Sequence, residues 1–538
     1  MNETTQAECT PVRNLPGQSQ IFQDFGAGKL GAWLPEDGPQ QENPQRPQHW
    51  PELARLLAAQ NPQSSATRSL TALEGGAGAV LTGQQVSLFG GPLYTPLKAA
   101  TALARARAGT ACGQPQVALF WLATEDHDFA EISQVVFPAG RELKTLAYAS
   151  APAAAVPVGG LVLDASITAL VEQATKLLGS SEATEALQAA YRPGRTLAEA
   201  FGAFYAKIFA AQGLLTVDAS SRDFHRLGAP VLRAGIERAD EFHAALVERN
   251  EALVAAGYHA QVMVSPQSSL LFLLDERTGA RLALKRLPPS ATEPQGLWQT
   301  AAPEGAQSYS TGDLLGILDA APERLSPSAL LRPVFQDFLF GTTTQVGGPA
   351  EIAYLAQSTP LFERILGRQT PPRARFSATL VEPRIAELLR RHELALEQIF
   401  AAENAEALAL KLAERALPVE TREKLAAAAN AFDSELEALV GWMQTQDKGL
   451  GQSAETAAGK MRYQMHRLRT LAANHQLQRE TTLKRQADSI WNALYPGGAL
   501  QERVLGAAYF FARYGLELAE RLTALAVENR SHHAAIWL

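Results

Sequence analysis

Hydrophobic residues in this chain change period several times, and each change marks a different kind of element. A short apolar run at Ala79–Leu81 gives way to a helical pattern through Leu97–Ala108. An unbroken apolar stretch follows, Val117–Ala123, of the kind a parallel sheet buries on both faces. A helix over Thr196–Gln212 leads into a strand at Leu214–Asp218. Thr342–Val346 reads as another strand, with a Gly347-Gly348 turn and a helix that starts at Pro349. This alternation predicts a doubly wound α/β core with a parallel sheet.

Two regions depart from that grammar. Between residues 223 and 333, helical stretches flank "SLLFLLDERTGARLALKR", two apolar runs joined at Glu276–Gly279, which predicts a β-hairpin in an insertion. From 379 to 493 the pattern is almost wholly helical. Leu425, Ala429, Phe432, Leu436, Leu439 and Met443 alternate spacings of four and three, and Ala454, Ala458, Met461, Met465, Leu468 and Ala472 repeat them. A Gly-containing segment between the two stripes predicts an antiparallel coiled-coil hairpin. The expected organisation is an irregular lead-in with one helix near Pro51–Ala59 (1–75), a first half of the core (76–222), the insertion (223–333), a return to the core (334–378), the coiled coil (379–493) and a C-terminal helical segment (494–538).

Composition narrows the function classes. The 538 residues carry a formal net charge of −7, with 46% hydrophobic and 19% charged residues, so no global basicity draws the protein to nucleic acid. The only cysteines are Cys9 and Cys112, which excludes a disulfide scaffold and a multi-cysteine zinc site. With no secretory pattern at the N-terminus and no apolar run of about 20 residues, a cytoplasmic protein is expected and a membrane partner is not.

Candidate chemistry falls at three loops on one predicted edge of the sheet. In "TGQQVSLFGGPLYTPLK", Gly83, Gln84, Gln85, Gly91 and Tyr94 precede a helix for which Thr95 is the expected cap, with Lys98 one turn in. The junction is either an anion-binding helix start or only a tight connection. In "ATEDHDF", Glu125, Asp126, His127 and Asp128 follow the buried strand. They form either a solvated acidic turn or a site for an ammonium group or Mg²⁺, with His127 as a base. In "QVGGPAEI", Gln345, Gly347, Gly348 and Glu351 open the returning helix, where Gly for the turn and Glu for the helix dipole are a sufficient structural reason. Two further features are the basic helix with Lys460, Arg462, His466, Arg467, Arg469, Arg479, Lys484 and Arg485, and the segment Gln501-Glu502-Arg503 beside Tyr495. The first is a solvated face or a phosphate-binding one; the second is a helix start or the edge of a nucleotide pocket.

"TGQQ…GGPLYT…K", "EDHDFAEI", "QVGGPAEIAY" and "QERV", in this order, resemble the cysteine ligase family of bacillithiol biosynthesis, BshC. The resemblance runs from about Thr82 to the C-terminus. It implies a Rossmann-type core related to class I aminoacyl-tRNA synthetases, connective insertions, and a coiled-coil arm that forms a homodimer. It implies a ligase that adds cysteine to glucosaminyl-malate. The catalytic loop would be Glu125–Asp128. Gly83, Gln84, Gln85, Gly91, Tyr94, Thr95, Lys98, Gln345, Gly347, Gly348 and Glu351 would line the substrate cleft, and Tyr495, Gln501, Glu502 and Arg503 a nucleotide position near the arm. ATP or ADP is the expected nucleotide, with Mg²⁺ as its companion. The thiolate zinc site of cysteinyl-tRNA synthetases cannot form here, so cysteine must be selected in another way. The alternative is a synthetase-like protein that binds nucleotide or tRNA without ligase activity.

Overall fold

The computed structural model describes residues 8–11, 15–38, 42–44, 47–288, 296–300, 305–528 and 532–538. Five strands form the core sheet: β1 (Gly78–Gln84), β2 (Gln116–Leu122), β3 (Leu215–Asp218), β4 (Thr342–Gly347) and β5 (Pro372–Ala374). Their order is β5-β4-β1-β2-β3, and every neighbouring pair is parallel. The predicted doubly wound core is present, with β1 running on to Gln84, β2 starting at Gln116, β3 starting at Leu215, and β5 a strand that the pattern did not predict.

Alternate residues of the central strands feed two apolar cores. Ala79, Leu81, Val117, Leu119 and Trp121 pack on one face, and Val80, Ala118 and Phe120 on the other. Both faces are covered, which is why these strands read as unbroken apolar runs. Helix α1 (Tyr94–Ala111) follows β1; α2 (Arg332–Phe340) precedes β4 and α3 (Pro349–Leu366) follows it. The strand order reverses between β1 and β4, so a crevice opens there at the carboxyl ends of the strands.

The insertion is more sheet-like than expected. Its hairpin, Ser268–Leu274 with Arg281–Arg286, is the middle of a five-stranded antiparallel sheet completed by Trp298–Thr300, Ser308–Tyr309 and Leu325–Pro327. These three strands are two or three residues long, too short to carry a period. The lead-in is also more ordered than expected. Asp37 is buried on the core, where it accepts from Arg105 Nε at 2.8 Å and Thr344 Oγ1 at 2.7 Å and pairs with Arg373. The two ends of the chain meet in a third sheet, in which His532–Trp537 lies between Glu8–Pro11 and Ser377–Val381.

The arm is a pair of long helices, α4 (Val419–Gln446) and α5 (Lys448–Arg479), joined at Asp447, whose side chain accepts from Leu450 N at 2.9 Å. The turn is therefore one residue, and "KGLGQS" is already helix. Leu436 and Val440 pack with Ala458 in the seam, with Phe432 and Ala454 against them, whereas Ala473 belongs to the main core. Leu439, Met461 and Leu468, expected in the seam, are 49%, 49% and 52% exposed. Among the described residues no helix is long and apolar enough to cross a membrane.

Candidate active site

The junction after β1 owes its odd sequence to a folded-back turn. Phe89, Gly90 and Gly91 all have positive φ, at 50°, 83° and 69°. Tyr205 Oη donates to Gly90 O at 2.7 Å; Tyr191 Oη accepts from Gly90 N at 3.0 Å and donates to Ser87 O at 2.9 Å. A Cβ at Gly90 would stand 2.6 Å from the Phe204 ring. The glycines therefore serve left-handed backbone against buried aromatics, and the expected approach of a ligand to Gly91 is replaced by protein. Helix α1 begins at Tyr94, so Thr95 lies inside it, buried, and does not cap it.

Lys98 is not a free cation. Its ammonium group, 6% exposed, lies 2.5 Å from Glu351 Oε2 and donates to Gly83 O at 2.8 Å and Gln84 Oε1 at 2.9 Å. Burial lowers its pKa from the ordinary lysine value, with Glu351 opposing. The same Glu351 oxygen accepts from Gly348 N at 2.7 Å at the start of α3. Lys98 thus ties the β1 loop to the β4 loop across the point where the sheet order reverses. Gln84 Nε2 donates to Tyr94 Oη at 3.2 Å, which sets Tyr94 on the same wall.

The acidic loop is spread rather than convergent. Asp126 accepts from Gln85 Nε2 at 2.7 Å and from His127 N at 2.7 Å. Burial opposes its charge, but these bonds win and hold its pKa below the ordinary aspartate value. Asp128 caps the short helix Phe129–Ile132 by accepting from Glu131 N at 3.1 Å. Glu125 turns away from the cleft, to 2.9 Å from Nε2 of the fully buried His225. His225 Nδ1 lies 3.1 Å and 2.9 Å from the carbonyls of Pro322 and Leu325 and so carries a proton. Burial disfavours the imidazolium, but the Glu125 charge prevails and raises the His225 pKa. His127 faces the insertion, its Nδ1 3.5 Å from Arg281 Nη1 and its ring beside Phe272. Of the four acidic-loop residues expected to be catalytic, Asp126 alone lines the cleft. Among the described residues no three His, Cys, Asp or Glu side chains are grouped to hold a metal ion.

The cleft itself is two cavities with a common wall of Gln84, Lys98, Ala350 and Glu351. The inner cavity, about 340 Å³, is walled by Gly83, Gln85, Trp121, Asp126 and Glu131 on one side and by Arg332, Gln336, Gln345 and Tyr354 on the other. The outer one, about 310 Å³, is walled by Tyr94, Gly348, Arg375 and Arg503. Arg332, Gln336, Tyr354 and Arg375 have no place among the expected site residues. Arg332 and Gln336 sit in "LLRPVFQDFLF", where polar residues break an otherwise apolar helix, and that was their available signal.

The QER segment divides. Gln501 bonds both ways with Leu380, accepting from its N at 2.7 Å and donating to its O at 2.8 Å. Glu502 is buried, accepting from Arg375 at 2.5 Å, Ser377 Oγ at 3.0 Å and Ala378 N at 3.0 Å. Tyr495 packs on Phe400 and Trp491. Gln501 borders a cavity of about 740 Å³ near the base of the arm, whereas Arg503 reaches the outer cavity of the main cleft. The expected four-residue nucleotide edge is thus split, and the Gln501 and Glu502 side chains are committed to holding the C-terminal sheet. A further cavity, about 290 Å³, lies at the edge strand β5 against the lead-in, away from the motif loops.

A parallel sheet with a polar two-part cleft at its switch point, joined to a helical arm, defines a Rossmann-like protein with a coiled coil. Residues 37–372 match the family described as bacillithiol biosynthesis BshC, N-terminal Rossmann-like domain, and residues 378–536 match its C-terminal coiled-coil domain. The chain is similar to proteins named "Putative cysteine ligase BshC" from Koribacter versatilis, at 39% identity over 96% of this chain and 97% of the relative. It is similar also to those from Solibacter usitatus, at 34% over 90% and 89%, and Symbiobacterium thermophilum, at 31% over 86% and 84%. The chain belongs to the BshC family and is a ligase of bacillithiol biosynthesis.

Proposed function

We propose that the protein joins the carboxylate of cysteine to the amine of glucosaminyl-malate, with ATP as the activating nucleotide. The observation that carries this reading is the two-part cleft at the switch point, where all three motif loops meet, in a chain whose relatives bear the cysteine ligase name. A carboxylate and an amine do not condense unaided in water. ATP supplies activation: a carboxylate oxygen attacks the α-phosphorus, pyrophosphate leaves, the amine nitrogen attacks the acyl carbon, and AMP leaves as the amide forms.

The chain's own residues divide this work by charge. The outer cavity, with Arg503 and the Ala350 N–H at the start of α3 on its wall, takes the phosphates, and Arg375 adds charge while paired with Glu502. Asp126 and Glu131, at the inner cavity, hold the ammonium groups and accept a proton as the amine attacks. Lys98 holds the two loops together instead of binding phosphate. Because the carboxylates do not converge, Mg²⁺ comes to the cleft on the nucleotide rather than on a resident site. The protein acts in the cytoplasm as a homodimer through its arm. The support for the dimer is the outward apolar surface of α4 and α5, where Trp442 is 58% exposed and Leu471 is 56% exposed.

Incubation of purified protein with ATP, Mg²⁺, cysteine and glucosaminyl-malate, followed by mass spectrometry, is expected to give the cysteinyl product and AMP. Absence of both under conditions where the protein is folded would remove the ligase assignment for this acceptor. The competing reading, a tRNA-binding protein, predicts binding that falls steeply with salt. The arm gives it little support, since Arg462 on the basic helix already pairs with Glu455 at 3.0 Å and Asp433 at 3.4 Å.

A further inference from the structure

We propose that Arg332 and Gln345 form an amino-acid subsite in the inner cavity, in which the Arg332 guanidinium takes the α-carboxylate and the free end of the Gln345 amide, with Asp126, takes the α-ammonium group. This rests on the cleft being the reaction site and says which part of it holds the amino acid. Arg332 lines the cavity at the start of α2. Among the described residues its side chain makes one hydrogen bond, from Nη2 to Tyr354 Oη at 3.2 Å. That phenol is neutral, its pKa pushed up to about 12 by burial. Burial opposes the guanidinium charge while Tyr354, Glu351 and Asp126 favour it, and the net pKa is raised, so Arg332 remains a cation. Neither carboxylate is hydrogen-bonded to Arg332: Glu351 is held by Lys98 and Gly348 N, and Asp126 accepts from Gln85 and the His127 amide while still lining the cavity. A guanidinium has five donors, and one that lines a cavity with a single side-chain hydrogen bond among the described residues suits a planar oxyanion.

Gln345 adds an independent observation. It is 8% exposed, its Nε2 donates to Gln336 Oε1 at 3.0 Å, and its Oε1 is buried without a partner. Gln336 lies four residues after Arg332, on the same face of α2, so one helix face holds the cation and fixes the orphaned acceptor. A buried acceptor left unpaired is unfavourable, and a ligand N–H removes that penalty. The charges around the cavity choose the ligand class. A dicarboxylate such as malate would satisfy Arg332 and then set its second carboxylate against Asp126 and Glu131. An α-amino acid carries an anion and a cation one carbon apart, which matches Arg332 opposite Asp126 and Gln345.

The test is calorimetric titration of the full-length protein with L-cysteine, cysteamine and malate under reducing conditions. Cysteine is expected to bind saturably, and cysteamine, which lacks only the carboxylate, about ten- to a hundredfold more weakly. Arg332→Met should remove that difference by weakening cysteine alone, and Arg332→Lys, which keeps charge without the planar fork, should restore part of it. Gln345→Leu should weaken cysteine and cysteamine together. If Arg332→Met does not fold, Arg332→Lys and Gln345→Leu carry the same comparison. No saturable cysteine binding, malate preferred to cysteine, or a cysteine-to-cysteamine ratio that survives at position 332 would each overturn the subsite. Arg332-dependent cysteine binding without product would sink the ligase reading and leave the subsite. Product formation with Arg332-independent binding would do the reverse.

Discussion

The cleft and the arm handle charge in opposite ways. In the α/β core, ions are inside: Lys98 pairs with Glu351 and Arg375 with Glu502 at the cleft, and Arg105 with Asp37 beside the lead-in, each cation 6% exposed or less. On the arm, ions are outside, as in Lys424 and Glu420, 75% and 79% exposed one helical turn apart. Apolar surface is reversed in the same sense, with large side chains buried beneath the cleft and Leu439, Trp442 and Tyr463 turned outward on the arm. Buried pairs restrict the core to one arrangement, and removing one partner strands the other. Exposed pairs restrict little. The core is therefore built to hold a fixed site, whereas the arm leaves apolar surface exposed, on which the proposed dimer rests.

The comparison breaks first at Glu502. Glu502→Ala leaves Arg375 charged and buried, and a loss of about 3–5 kcal/mol is expected in urea unfolding. A change under 1 kcal/mol would mean that the buried network is not what holds the C-terminal sheet to the cleft. Gly90→Val should come next, because a branched residue at φ 83° adds about 1–3 kcal/mol of strain and its Cβ meets Phe204. Thermal unfolding reads this directly, and a variant as stable as the parent would show that the turn is not constrained as described.

A smaller effect tests the buried imidazolium. The His225 pKa is raised in the folded protein above the ordinary 6.5, so its stabilising contribution is fully present below that value and is lost as pH rises through the folded pKa. Facing it are the Glu125 carboxylate and the Pro322 and Leu325 carbonyls, with the Arg281 guanidinium next to Glu125 as the opposing charge. The unfolding midpoint of the parent should fall by more than that of His225→Gln as pH rises from the ordinary 6.5 through the raised folded pKa. Equal slopes for the two proteins would show that His225 folds in neutral.

The central strands β1 and β2 were legible because burial on both faces makes them apolar runs; β4, mostly Thr and Gln, was read from its Gly-Gly end, and the three-residue β5 carried no period and was not read. The three loops were legible because they occupy the ends of the strands that were read. The direction of each side chain within a loop was not. Glu125 and Asp126 are adjacent, yet one reaches His225, about a hundred residues on, and the other the cleft. Nothing local distinguishes them. Arg332 and Tyr354 were hidden because an isolated polar residue on a buried helix reads as an imperfection in the core pattern. On the arm the period was clear but its phase was not. Val440 packs with Leu436 and Ala458, so the seam passes through position 440 where Leu439 was expected.

That displaced phase gives the smallest expected effect on stability and the sharpest division between the two regions. Leu439 and Trp442 are 49% and 58% exposed, so replacing both by Lys removes little buried area within one chain. Surface changes of this kind are usually within about 0.5 kcal/mol each, and the unfolding midpoint measured at a concentration where the parent is monomeric should hardly move. If the outward apolar surface is where a second copy docks, the same two charges are desolvated in the dimer, and association should weaken by orders of magnitude. Sedimentation velocity over a range of concentrations separates the two quantities. A dimer of unchanged strength would place the interface elsewhere, whereas a large loss of monomer stability would mean that these side chains are part of the fold and the arm resembles the core more than its surface indicates.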